Sequence, residues 1–199
     1  MTAVKTRREL YAETTRQALI DVGRRVFAER GYTAVSAEEL VRQAGLTRGA
    51  LYHHFDGKQG LFEAVFEELE DTAVRAVTTA MTTAAGDPET RARAGLSAYL
   101  DTCGEPEFRE IVLKQGPIAL GHERWQELDV RHFGGLLRDA LTALMDEGYL
   151  TRRPVQMLGR ALFGAITELA LAIAEADDPA AARAEADVIA ATLLSGLRA

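Results

Sequence analysis

Apolar residues recur at three- and four-residue spacing along almost the whole of this chain, and no stretch sustains period-two alternation. Such spacing places apolar side chains on one stripe of a helix and leaves no half-buried strands from which to build a sheet. The prolines agree: Pro88, Pro106, Pro117, Pro154 and Pro179 all fall between periodic segments, where a missing N–H does no damage to a helix. Leu19, Val22, Val26 and Phe27 form a first stripe, stopped at Gly31. A longer one opens with Leu61, Phe62, Val65, Phe66 and Leu69 and runs to about Ala85. Asp87-Pro88 and Asp178-Pro179 each set an acidic cap before a proline at the first helical position, and Gly148 closes the stripe that begins at Trp125. The pattern predicts an all-α fold of about nine helices.

With 199 residues, 47% of them hydrophobic, the chain has the material for one or two compact units. No run approaches the ~18 uninterrupted apolar residues of a membrane span, and Met1 to Glu13 lack the apolar core of a secretory signal. A cytoplasmic protein without membrane contact is expected. The single cysteine, Cys103, excludes an internal disulfide and any paired-cysteine metal motif. The net charge of -7 argues against a polyanionic partner until it is divided along the chain. Residues 1–58 carry ten Lys and Arg against seven Asp and Glu, and the remainder carries 13 against 23. Contact with nucleic acid, if made, belongs to the first segment. Two parts are therefore expected, 1–58 and 59–199, packed directly together because no low-complexity linker separates them.

Ser36 to Phe55 is the most informative stretch. Ser36, with Glu39 three residues on, forms a capping-box pattern that starts a short helix with Leu40, Val41 and Ala44 on its apolar face. Gly45 ends that helix in a tight turn, Leu46 plugs the core beneath the turn, and Thr47 caps the next helix. In this second helix Ala50, Leu51 and Phe55 face inward, which turns Thr47, Arg48, Gly49, Tyr52, His53 and His54 outward. An outer face of aromatic, imidazole and glycine residues, with few Glu or Lys, suits a surface that reads the DNA major groove. Lys58, at the start of the following helix, is placed to hold a phosphate. A purely structural helical hairpin is the competing reading. Metal binding by His53 and His54 is disfavoured, because adjacent helical residues do not face one another and no second pair stands one turn away. Arg7, Arg8 and Arg16 offer either an arm that touches the DNA backbone or a solvated leader.

The first helix together with Gly31 to Leu61, ending in Leu51-Tyr52-His53-His54-Phe55-Asp56-Gly57-Lys58-Gln59-Gly60-Leu61-Phe62, resembles the TetR family of bacterial one-component regulators over roughly Ala18 to Phe66. The resemblance implies a three-helix DNA-binding head, a helical body for ligand binding and dimerisation, and release from a palindromic operator when a small molecule binds that body. It also implies that Ser36 meets DNA backbone and that Thr47, Arg48, Gly49, Tyr52, His53 and His54 line the recognition helix. Two departures are Gly60, which is expected to loosen the first turn of the fourth helix, and Gly23, which is expected to weaken the first.

In the body, the helix predicted from Pro154 to about Ala176 is apolar nearly all the way round, which marks it as central to its own domain or shared with a second subunit. The last helix offers Ala180, Ala184 and Ala191 for close approach, so the two are expected to pair with their two-fold mates in a homodimer. Candidates for the effector pocket are Tyr99, Cys103, Phe108, Trp125, His132, Phe133, Leu136, Phe163, Thr167 and Glu168. Glu168 stands out as a carboxylate in an apolar run, with three uses open to it: an ion pair with an arginine such as Arg160, a contact across the dimer, or recognition of a polar or cationic ligand group. An enzyme is disfavoured because the chain has no paired-acid motif, nucleophile elbow, phosphate-cradling loop or metal spacing. No cofactor is expected beyond an unidentified small-molecule effector. An adaptor that keeps the fold but binds a protein is the remaining alternative.

Overall fold

A computed structural model describes residues 6–198, with the Arg8 side chain undescribed; residues 1–5 and 199 lie outside it. Nine helices and no strand are found among the described residues: α1 (Arg7–Arg30), α2 (Ala37–Gln43), α3 (Arg48–His54), α4 (Gly57–Thr83), α5 (Pro88–Gly104), α6 (106–120), α7 (His122–Asp146), α8 (Val155–Glu175) and α9 (Pro179–Ser195). The helices start where side-chain caps satisfy their free amides. Asp87 accepts from the Thr90 N–H at 2.8 Å, and Asp178 accepts from the N–H groups of Ala180 and Ala181 at 3.1 Å.

Two elements depart from the periodicity. α1 begins at Arg7, well before its apolar stripe, because Thr6 and Glu9 form a reciprocal capping box and residues 7–18 are a largely solvent-facing helical extension with Leu10 and Tyr11 exposed. No apolar stripe is needed there, so none announces it. α6 contains a π-helical stretch, Arg109–Gln115, between two α-helical ends, and Pro117 therefore lies inside this helix rather than between helices. The widened turns leave carbonyls in need of donors. The buried indole of Trp125 gives its N–H to the Val112 carbonyl at 3.0 Å.

Helices α1 and α3 pack against the N-terminal half of α4, with α2 held against α1 and α3, and the same α4 continues beside α5 and α7 in the body. One apolar core runs through both, from Leu19, Phe27, Leu40 and Leu51 to Leu100, Ile111 and Leu128. Phe27, Tyr32 and Phe62 stack edge-on at 5.1–6.0 Å between centroids at the head end. Gly23 belongs to this contact: a β-carbon there would stand 3.2 Å from Val65 and 3.4 Å from Leu61. What reads as a weak point in α1 is thus a close approach of α1 to α4. The predicted boundary after Lys58 falls in the first turn of α4, which supplies Leu61 and Phe62 to the head core.

Candidate nucleic-acid interface and apolar cavity

The turn between α2 and α3 is built as its sequence requires. Ser36 accepts from the Glu39 N–H at 3.2 Å and starts α2. The reciprocal half of the predicted capping box is absent, because the Glu39 carboxylate is taken by Arg30 and Gln43. At the other end Leu46 N–H bonds the Val41 carbonyl at 2.8 Å and Gly45 N–H bonds that of Arg42 at 3.2 Å, a Schellman arrangement that needs a left-handed residue. Gly45 supplies it with φ of 65°. Thr47 accepts from Ala50 N–H at 3.2 Å and starts α3, while fully buried Leu51 and nearly buried Phe55 fix which face of α3 points outward.

That outward face carries Thr47, Arg48, Gly49, Tyr52 and His53, all exposed, with Tyr52 at 52%. Arg48 bonds Glu38 at 2.8 Å and lies 5.5 Å from the Tyr52 ring. Exposed pairs of this kind are screened by water and salt and contribute little, so the guanidinium is readily exchanged onto another anion. His54 is only half-exposed, packed against His53 at 4.9 Å between ring centroids. Burial, aided by His53 and Arg16, lowers its pKa. A neutral imidazole suits hydrogen bonding to bases better than attraction to phosphate. Ser36 is exposed at the start of α2.

Lys58 departs from its expected role. Its ammonium donates to the carbonyls of Tyr32 and Val35, both at 2.9 Å, and stands 4.0 Å from the centre of the Tyr32 ring. Two of its three protons thereby fasten the α1–α2 connection to α4 rather than reaching for phosphate. Arg7 and Arg16 are not on a loose leader: both lie on α1, Arg7 bonded to the Tyr11 hydroxyl at 3.2 Å and Arg16 placed 5.3 Å from the Phe55 ring. The Arg8 side chain lies outside the described residues.

The body holds an apolar cavity of about 120 Å³ among α4, α5, α7, α8 and α9, comparable with engineered apolar cavities that accept benzene. Of the predicted pocket residues, Tyr99, Phe133, Leu136, Phe163 and Thr167 line it. The other five do not. Cys103 and Phe108 are core, and Trp125 braces α6 as described above. His132 faces Asp71 at 3.2 Å. Glu168 is exposed, at the edge of a second, more polar depression between α7 and α8, so its apolar neighbours in sequence do not enclose it. Val77 and Met81 of α4, Leu96 of α5 and Leu194 of α9 complete the cavity wall; nothing in their helical spacing distinguishes a cavity-lining residue from a core one.

The buried carboxyls are elsewhere, on Glu70 of α4 and Asp129 of α7. Burial raises both pKa values, with each other's charge contributing for Glu70, and Asp129 is pushed up to about 7. A signal for Glu70 existed in the sequence: positions 66, 70, 73 and 77 step along one helix face, and Phe66, Ala73 and Val77 are all buried. Gln115 of α6 was also unforeseen. It accepts from Tyr32 N–H at 2.8 Å and donates to the Phe27 carbonyl at 3.0 Å, and with the Arg24–Glu107 pair at 2.7 Å it clips the body to the end of α1.

A two-helix reading unit fixed on a third helix, joined through one long helix to an all-helical body with an apolar cavity, defines a helix-turn-helix protein of the one-component regulator class. Residues 19–65 match the model for bacterial regulatory proteins of the tetR family, and residues 89–197 match the tetracyclin repressor-like C-terminal domain. The chain belongs to the TetR family of transcriptional regulators. A TetR-family transcriptional regulator from Pectobacterium atrosepticum is 34% identical with a TM-score of 0.84, the match covering 98% of each chain. AcrR of Shigella flexneri is 33% identical over 112 residues, 56% of this chain and 51% of AcrR. SrpR of Pseudomonas putida is 32% identical over 145 residues, 66% of this chain and 63% of SrpR. The matches thus span about half to two thirds of these curated relatives, which are regulators and not enzymes. FadR of Bacillus subtilis, solved with stearoyl-CoA, shares the fold at 18% identity, with a TM-score of 0.75 over 92% of this chain and 99% of that one.

Proposed function

We propose that this chain is a homodimeric repressor that places α3 in the major groove of a palindromic operator and leaves it when a small molecule fills the apolar cavity. The observation that carries the reading is the outer face of α3. Its aromatic and imidazole residues stand outside the buried core of the head, yet buried Leu51 and the Thr47 cap hold the helix rigidly. Thr47, Arg48, Gly49, Tyr52, His53 and His54 read bases and nearby backbone, and Ser36 meets backbone at the start of α2. Lys58 acts from behind, by fixing the α1–α2 connection.

Dimerisation through α8 and α9 accounts for their exposed apolar surface. Met157 is 72% and Val188 66% exposed in a single chain, and Ile189 is exposed beside it. α8 is long and apolar enough, by length and composition, to cross a membrane, with a mean hydropathy of 1.6 and only 22% of the window buried. Its Arg160 and Glu168 favour cover by a second copy over lipid. A cytoplasmic location follows from this reading.

The cavity communicates with the head through α4, whose far half contributes Val77 and Met81 to the cavity and whose near half carries Phe62 into the head core. A ligand that displaces Val77 or Met81 shifts α4, and the clip at Gln115 carries the shift to α1. Two heads moved out of the 34–36 Å spacing of successive major grooves lose the operator together. The test is a gel shift at moderate salt, using the DNA upstream of the protein's own gene against excess unrelated DNA. A retarded, competitor-resistant complex is expected; its absence on every palindromic candidate overturns the reading.

A further inference from the structure

The apolar cavity has a charged end concealed behind its wall. Glu70 is wholly buried, and neither of its carboxyl oxygens has a hydrogen-bond partner among the described residues. Asp129 is 5% exposed and has one long contact, from the Thr167 hydroxyl at 3.5 Å. Buried carboxyls are ordinarily paired with cations or fully hydrogen-bonded. The surrounding cations are engaged elsewhere: Arg124 with Glu63, Arg131 with Glu67, His132 with Asp71 and Arg183 with Asp101. Three of these pairs tie α4 to α7 along their more exposed side, while Glu70, on the same two-helix contact, is left inside without one.

The location ties the pair to the cavity. Neither carboxyl lines the cavity itself: Asp129 lines the more polar depression between α7 and α8, one turn from Phe133, and Glu70 stands two turns from Val77 on α4, Phe133 and Val77 both lining the cavity. Thr167 lines the cavity and also bonds Asp129. Burial raises the pKa of Tyr99, a further wall residue, with the nearby charges of both carboxyls adding to it, and its ring meets Phe133 at 4.7 Å. Two aromatic rings and a hydroxyl of the cavity wall therefore lie next to two buried carboxyls that form no ion pair among the described residues.

We propose that the effector is an amphipathic organic cation, its apolar body in the cavity and its protonated nitrogen held between Glu70 and Asp129 beside the rings of Tyr99 and Phe133. The inference rests on the reading of the cavity as the effector site. Without ligand, the pair avoids two adjacent buried negative charges by retaining a proton. The incoming ammonium replaces that proton, which leaves to solvent, and gains charge-assisted hydrogen bonds and aromatic faces. Around the pair stand Asp71 on α4, whose charge acts on Glu70 and which pairs with His132 of α7, and Tyr99 and Cys103 on α5, which feel both carboxyls, with Arg183 of α9 acting on Cys103; from α8 the contact is Thr167. Glu70 lies on α4 between Phe66 of the shared core and Val77 of the cavity, so ligand charge acts directly on the helix that leads to the head.

Calorimetric titration of the full chain with octylammonium, 1-octanol and octanoate separates the possibilities, since the three share a tail and differ in head charge. Octylammonium is expected to bind at least about tenfold more tightly than octanol, with octanoate weakest. In Glu70→Gln/Asp129→Asn that preference disappears, octylammonium falling to the affinity of octanol. In the unaltered protein, titration in two buffers of different ionisation enthalpy should show about one proton released per octylammonium bound, a readout that does not depend on how the variant folds. Octanol or octanoate binding as tightly as octylammonium, or no proton release, overturns the cation inference and leaves the cavity as the effector site. Failure of all three to bind overturns both.

Discussion

Asp129→Asn should remove a pH-dependent loss of stability that the buried carboxyl pair imposes. Asp129 is 5% exposed with the long Thr167 contact as its one hydrogen bond among the described residues, and burial raises its pKa from 3.8 to about 7, against the lowering effect of Thr167. In the unfolded chain the carboxyl gives up its proton near its ordinary value; in the folded chain it keeps the proton well above that value. The protonated group's stabilisation is therefore complete below pH 3.8 and is lost as pH rises towards about 7, at about 1.4 kcal/mol per pH unit. Between pH 5 and pH 8 the unaltered protein should lose roughly 3 kcal/mol relative to the variant, less to the extent that Glu70 shares the titration. Urea unfolding of both proteins at those two pH values measures it, with the difference between them cancelling the many exposed carboxylates common to both. Parallel pH dependences would refute the assignment of an unpaired buried acid at this position.

Tyr52→Ala should leave the melting temperature unchanged, since the ring is half exposed, while operator affinity falls about tenfold or more by fluorescence anisotropy; unaltered affinity would favour an adaptor that does not use α3 on DNA. Gln115→Leu removes both bonds of the clip and leaves the Tyr32 N–H unpaired, which should cost about 1–3 kcal/mol in urea unfolding and weaken the effect of a cavity ligand on DNA binding. Full retention of both would show that α6 is a bystander. Val188→Glu puts a charge on the exposed face of α9 and should convert a dimer to monomers in sedimentation velocity, with the helical content of the chain intact.

Most of the architecture was legible in the sequence because caps and stripes are local. Asp87-Pro88, Asp178-Pro179, Gly45 and Thr47 each act within four residues of themselves, and each forms the cap or turn its chemistry predicts. Illegible features depend on partners distant in sequence. The early start of α1 has a local cap but no apolar stripe, since the extension buries little. Lys58 looks like a phosphate ligand until the chain brings the carbonyls of Tyr32 and Val35, 26 and 23 residues away, within its reach. Glu168 drew attention through its apolar neighbours, yet folding leaves it exposed and buries Glu70, together with Asp129. Helical register alone distinguishes the two, and it does so only once the contact between α4 and α7 is known.

The central claim is that α3 reads DNA as one of a symmetric pair of heads. Hydroxyl-radical footprinting of the DNA upstream of the gene tests it most directly. The account predicts two protected half-sites related by a two-fold axis, with centres one helical turn or a whole number of turns apart, and loss of both in Tyr52→Ala. Protection without two-fold symmetry, or none at moderate salt on any palindromic candidate, would contradict it.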